Sequence, residues 1–238
     1  TERSGKLKSF SRYGKPILIT GVPKVWASGQ GGLLDVAISP QFVRNKLIYL
    51  SFAEPSRDGR TAGTALASGY LDLSGQPQLR DVNVIFSQIK KTSSVLHFGS
   101  RIVISPYNRI FLTIGDRGDG RRAQDPFDHA GSVIRINFDG SVPEGNPYFS
   151  GKFALPKIWS KGHRNPQGAI WNPLTESLWT VAHGAQGGDE VNRPEPGRNY
   201  GWPIISYGQH YSGKKIGEGT HKEGMVQPVY YWDPSIAP

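Results

Sequence analysis

The sequence predicts an all-β protein, and two observations carry the prediction. Its 30 glycines and 18 prolines, among 238 residues, punctuate many short apolar runs, a balance that suits numerous strands joined by turns rather than a few long helices. One pattern then recurs three times along the chain: an apolar stretch ending near a proline, a short polar turn, and a second apolar stretch. With 37% hydrophobic residues the chain has the material to bury a core.

The first copy, "DVAISPQFVRNKLIYLSF", begins at Asp35 and predicts a β-hairpin, with "ASGYLDL" as a strand that follows. The second, "RIVISPYNRIFLTIGD", begins at Arg101 and is followed by "SVIRINF"; the third, "GAIWNPLTESLWTVAHG", begins at Gly168 and is followed by "DEVNRP". The steps between them, 66 and 67 residues, are nearly equal. Repeated strand units of this kind predict a β-propeller, whose blades are four-stranded sheets of about 40–50 residues around a central channel. The longer period leaves room for loops between strands, where function resides. A sandwich with accidental hairpin similarity is the alternative, and three matched units at near-constant spacing weigh against it. The chain opens on "TERSGKL" without a methionine and stops on "YYWDPSIAP" directly after an aromatic, strand-like run, so both ends read as cuts through structure. The expectation is a single propeller domain over residues 1–238, truncated at both ends, holding roughly four blades.

Composition removes several function classes. No apolar run approaches the roughly 20 residues that span a bilayer, and nothing at the start reads as a charged-then-apolar signal segment. Cysteine is absent, which excludes disulfides and cysteine metal sites. The net charge of +9 is spread in ones and twos, as in Lys90-Lys91 and Arg121-Arg122, with no basic run and no nucleic-acid module. No dinucleotide fingerprint, phosphate loop or Gly-x-Ser-x-Gly elbow occurs, and the histidines are too few and scattered for zinc or iron.

What remains are unusual polar residues just before or after each hairpin, positions that would collect at one mouth of a propeller channel. "GQGG" carries Gln30; "VLHFGSR" and "IGDRGDG" place His97 and Asp116 on either side of one hairpin, so that a carboxylate can reach an imidazole in the layout of an oriented general base. A buried histidine that merely hydrogen-bonds an aspartate would read the same way. In "GHRNPQG", Arg164 and Asn165 offer a positive fork and a bifunctional amide beside a proline, suited either to a planar, oxygen-rich anion or to tying neighbouring blades together. "HGAQGGDEVNRPEPGRNYGWP" is glycine-rich and acidic at Asp189-Glu190, an oxygen-only environment that suits calcium, with a solvated acidic turn as the alternative.

Taken in order, "GQGGLLDVA", "HFGSRIV", "GHRNPQG", "HGAQGGDE" and "GRNYGWP" resemble the soluble quinoprotein glucose and sorbosone dehydrogenase family, in particular its bacterial aldose sugar dehydrogenase branch. The resemblance runs through essentially the whole chain. It implies a six-bladed propeller that binds pyrroloquinoline quinone (PQQ) and calcium and oxidises the anomeric hydroxyl of an aldose to a lactone, passing electrons to an external acceptor in a periplasmic or secreted setting. By the same resemblance His97 is the base that takes the hydroxyl proton while hydride passes to the quinone, Asp116 orients it, and Arg164 stabilises charge on the quinone oxygen with Asn165 beside it. Gln30 and Tyr211 match cofactor-contacting positions. The carbonyls of Gly184 and Ala185 match the pair that holds the cofactor's calcium, Ala185 standing where proline is usual, and Glu190 and Tyr200 match a second calcium site. A calcium-dependent propeller lactonase and a non-catalytic carbohydrate- or protein-binding propeller are the competing readings.

Overall fold

A computed structural model describes residues 1–10 and 14–238. The chain divides into two compact units, Thr1–Leu96 and His97–Pro238. Among the described residues no helix is long and apolar enough to cross a membrane.

In the first unit, β1 (Leu7–Ser9) and β2 (Ile17–Ile19) form a two-stranded sheet. β3 (Leu33–Ile38), β4 (Leu47–Pro55), β5 (Ala62–Asp72) and β6 (Gln78–Ser87) form a four-stranded antiparallel meander in chain order. The strand period of two sends Ile48, Leu50 and Phe52 of β4 to one face, where they join Leu7, Ile19, Leu33, Ala65, Ala67 and Leu79 in one core cluster. The intervening Tyr49, Ser51 and Ala53 are also fully buried, so β4 is covered on both faces. The first hairpin differs from expectation in its connection: instead of a short polar turn, Phe42–Asn45 forms one helical turn, α1, closed by Lys46 in the left-handed region.

The second unit holds two further four-stranded antiparallel meanders. β7 (Ile102–Ser105), β8 (Arg109–Ile114), β9 (Ser132–Ile136) and β10 (Ile158–Lys161) make one; β11 (Pro166–Asn172), β12 (Ser177–Ala182), β13 (Asp189–Asn192) and β14 (Tyr230–Trp232) make the other. The turn between β7 and β8 uses Asn108 at φ +57°, a conformation its short polar side chain tolerates. In the turn between β11 and β12, the Asn172 carboxamide accepts from Leu174 N–H at 2.9 Å, so "NPLTE" closes as an Asx-type turn. The two sheets meet through Val103, Phe111, Val133 and Leu178, flanked by Trp159 and Trp171. Trp171 stacks on Phe111 at 6.1 Å and Trp159 meets it edge-on at 5.6 Å, geometries that aromatic pairs favour.

All three predicted hairpins are therefore present, each as the first two strands of a four-stranded sheet, and all three following strands are the third strands of those sheets. The all-β class holds; among the described residues the regular sheets are these three and the β1–β2 pair.

Candidate active site

Antiparallel connectivity brings the polar loops of the second unit together. The segment before β7, the segment after β8, the segment before β11 and the segment after β12 leave the sheets at the same end, because β7 and β11 start there and β8 and β12 finish there. Those four segments carry His97, Asp116, Arg164-Asn165 and His183-Gly184.

His97 Nδ1 lies 2.7 Å from Asp116 Oδ1, and the imidazole side chain keeps 12% exposure while the carboxylate is buried. Asp116 is fully engaged: Gly118 N–H donates to Oδ1 at 2.7 Å and the Trp202 indole Nε1–H donates to Oδ2 at 2.7 Å. Backbone ties close the cluster. Asp116 N–H donates to the Arg164 carbonyl at 2.8 Å, Gly99 N–H donates to Asn165 Oδ1 at 3.2 Å, and His183 N–H donates to the Asn165 carbonyl at 3.2 Å. Asn165 is thus a strap between the loops that carry His97 and His183, the tying role weighed for it in the sequence. Gly115 shows how tightly they meet, since a Cβ there would drive into the His97 carbonyl oxygen and come within 2.9 Å of Asn165 Oδ1.

The Arg164 guanidinium is buried and, among the described residues, has no carboxylate partner; its Nη1 donates to the carbonyls of His183, at 3.0 Å, and Gly184, and its Cζ lies 5.4 Å from the Trp202 ring centroid. A buried cation compensated only by carbonyls and a π face is suited to receiving an anionic group. Beside it, burial holds the His183 imidazole below its usual value; the pull of Asp189 opposes this, and the positive Arg164 guanidinium adds to it.

The glycine-rich loop after β12 is organised by Asp189. Its buried carboxylate accepts from Gly184 N–H at 2.7 Å, Ser235 Oγ–H at 3.1 Å, and Ile236 and Ala237 N–H at 2.8 Å each. Burial alone would raise its pKa, but these donors outweigh that and hold it below the usual range. Next to it, burial pushes the Glu190 carboxyl up to about 7, against a hydrogen bond from Asn192 Nδ2 at 2.9 Å and with added repulsion from Asp189. Tyr200 is buried, stacks on His163 at 4.6 Å, and donates its hydroxyl to the Arg193 carbonyl. Among the described residues no group of three or more His, Asp or Glu side chains gathers as a metal-binding set, so any cation here would rest on backbone oxygens and isolated carboxylates.

His163, in the same heptapeptide as Arg164, is a structural residue. Its Nε2 lies 2.9 Å from Ser160 Oγ, and complete burial depresses its pKa to about 3, which keeps the ring neutral. Tyr211 is 78% exposed on a turn, and among the described residues no hydrogen bond or ring contact joins it to the cluster around His97. Gln30 belongs to the first unit, where its N–H donates to the Val95 carbonyl at 2.8 Å. Sequence reasoning missed Trp202 and His183 as members of the site and named Asp189 only as part of an acidic loop suited to calcium, although all three stand in the quoted glycine-rich segment; a tryptophan between glycine and proline was the available signal.

A family model described as Glucose / Sorbosone dehydrogenase matches residues 1–238. Aldose sugar dehydrogenase YliI of Escherichia coli (strain K12) is 42% identical over 242 residues, covering 100% of this chain and 64% of that protein. Quinoprotein glucose dehydrogenase B of Acinetobacter calcoaceticus is 33% identical over 202 residues, 76% of this chain and 41% of that protein. Among solved structures, the apo form of the soluble aldose sugar dehydrogenase from Escherichia coli matches with a TM-score of 0.94 at 39% identity, covering 99% of this chain and 68% of that one. The PQQ-bound form of aldose sugar dehydrogenase from Streptomyces coelicolor matches with a TM-score of 0.79 at 28% identity, over 96% of this chain and 62% of that one. The chain spans less than two thirds of the length of these curated relatives.

Proposed function

Because this chain belongs to the glucose/sorbosone dehydrogenase family, we propose that the protein oxidises the anomeric hydroxyl of aldose sugars to lactones with PQQ and calcium. The observation that carries the reading is the His97–Asp116 pair at 2.7 Å beside a buried Arg164 that has no carboxylate partner among the described residues. Bound PQQ would supply the acceptor for the two electrons, and calcium a Lewis acid beside it.

His97 takes the anomeric hydroxyl proton. Asp116, hydrogen-bonded to Nδ1, leaves Nε2 as the acceptor and stabilises the imidazolium that forms. Arg164, buried in the site, would hold the cofactor's anionic oxygens and supply positive charge beside them. Asn165 keeps the His97 and His183 segments in register from behind. Gln30 and Tyr211 are proposed as further cofactor contacts, within a six-bladed propeller of which this chain forms roughly four blades as one domain.

Calcium is proposed at the carbonyls of Gly184 and Ala185, with a second ion at Glu190 and Tyr200. The oxygen chemistry suits a hard cation. At Gly184 the Arg164 guanidinium already donates to the carbonyl, so a cation there would share that oxygen through its second lone pair. The electron acceptor is external and the setting periplasmic or secreted.

The test is dye-linked aldose oxidation by the whole protein, with and without PQQ and calcium. Turnover that needs both supports the reading. Inactivity with both present overturns it, and calcium-dependent lactone hydrolysis without PQQ would establish a lactonase instead.

A further inference from the structure

Trp202 reaches the site from a loop 86 residues beyond Asp116. Asp116 Oδ1 is committed to His97 Nδ1 and Gly118 N–H, each at 2.7 Å, so the remaining oxygen decides how the carboxylate is turned. That oxygen, Oδ2, accepts the Trp202 Nε1–H at 2.7 Å. The same indole ring lies 5.4 Å from Arg164 Cζ, so one side chain touches both the partner of His97 and the buried guanidinium.

The backbone that carries the indole is anchored on both sides, and the ring itself is closely packed. Trp202 N–H donates to the Gly162 carbonyl at 3.0 Å, and the Trp202 carbonyl accepts from Gln124 Nε2 at 2.6 Å. Gly120 lies against the ring, where a Cβ would come within 2.9 Å of Nε1. A tryptophan serving only as packing would need volume alone, and phenylalanine would nearly replace it. Here a donor is aimed at a buried carboxylate, and charge-assisted bonds of this kind are the strong ones.

We infer that Trp202 is a positioning residue: its N–H locks the Asp116 carboxylate and through it the His97 ring, while its π face supports Arg164. The inference rests on His97 acting as the base. Trp202 acts through Asp116 and Arg164 and takes no part in the chemistry itself.

The experiment compares wild type, Trp202→Phe, Asp116→Asn and the double variant as PQQ- and calcium-loaded enzyme, and records ¹H–¹⁵N spectra of the tryptophan-labelled proteins without cofactor. Trp202→Phe is expected to lower kcat by about 10- to 100-fold, the weight of a hydrogen bond to a charged group, with KM little changed. The double variant is expected to be no slower than Asp116→Asn, because both changes remove one contact. The indole signal absent from Trp202→Phe is expected to shift in Asp116→Asn. A wild-type kcat for Trp202→Phe, losses that multiply in the double variant, or an indole signal indifferent to Asp116→Asn would each overturn the inference. The Asp116→Asn spectrum decides the matter should Trp202→Phe fail to fold, with the signal then assigned through a Trp202→Tyr variant. A wild type inactive toward aldoses sinks the proposed function instead, and the spectra still decide whether the indole holds Asp116.

Discussion

His97 sits at φ +52°, in the left-handed region that a side chain with a Cβ adopts only when its surroundings impose it, and Gly99 and Ser100 follow at +62° and +82°. Such strain, on the order of 1 kcal/mol for a non-glycine residue, is held in place by the hydrogen bond from Gly99 N–H to Asn165 and by the Asp116 carboxylate. The imidazole is thereby fixed before any ligand arrives, which is what a base acting in the transition state requires. His97→Ala is expected to lower kcat by about 10²- to 10⁴-fold, the usual weight of general-base catalysis, while PQQ titration shows affinity close to wild type. Loss of PQQ binding in parallel would assign His97 to cofactor binding. The pairing of His97 with Asp116 was legible because both flank one hairpin, and a hairpin returns its ends to one place. The indole on the far side of Asp116 was not, because nothing local links Trp202 to a residue 86 positions away.

At the scale of elements, the site is a set of strand ends. β8 ends at Ile114 and hands over to Gly115-Asp116, β11 is preceded by Arg164-Asn165, and β12 ends at Ala182 before His183-Gly184. At Gly115 the segment after β8 presses on the segment before β7, and the obstructing atom is the backbone oxygen of His97, which cannot rotate away as a flexible side chain could. Gly115→Ala should therefore push the His97 segment off Asp116: kcat falls at least about tenfold, as expected for a displaced catalytic group, and the thermal midpoint drops. Unchanged kcat would show that the segment yields without consequence. The hairpins were legible from period-two alternation and turn chemistry. α1 was not, since a single helical turn lies below the length at which periodicity speaks. The loop after β12 invites a second measurement. If Glu190 helps to hold calcium, added calcium raises the thermal midpoint of the wild type and chelator lowers it, and Glu190→Gln loses most of that response; an undiminished response would remove Glu190 from the proposed site.

For the molecule as a whole, the buried histidines set an acid limit to stability. Burial lowers His129 to about 4 and His163 to about 3, whereas an unfolded histidine titrates near 6.5. The unfolded chain therefore binds protons that the folded chain refuses. The stability these neutral rings confer is fully present above about pH 6.5 and is lost as pH falls from there toward the folded values. By pH 4.5 each accounts for about 2–3 kcal/mol of destabilisation. Thermal midpoints measured at pH 7 and pH 4.5 should differ less for His129→Gln or His163→Gln than for wild type; equal differences would place the acid sensitivity on other groups. The same burial explains why His163, the histidine adjacent to Arg164 in sequence, is unavailable as a base although it stands in the most suggestive heptapeptide.

The sequence by itself determined the all-β class, the three hairpins, the third strands and the family, because alternation, turn residues and ordered motifs are local and survive without knowledge of what packs on what. It also supplied the pairing of His97 with Asp116, a contact across one hairpin. Tertiary structure decided the remainder: that Asn165 straps two loops together, that Arg164 is buried with carbonyls and an indole for company, that Asp189 organises the glycine-rich loop, and that Trp202 closes on Asp116. Each of those contacts joins residues from different strands or loops, and their energy depends on burial and hydrogen-bond geometry, quantities that exist only once the sheets have packed.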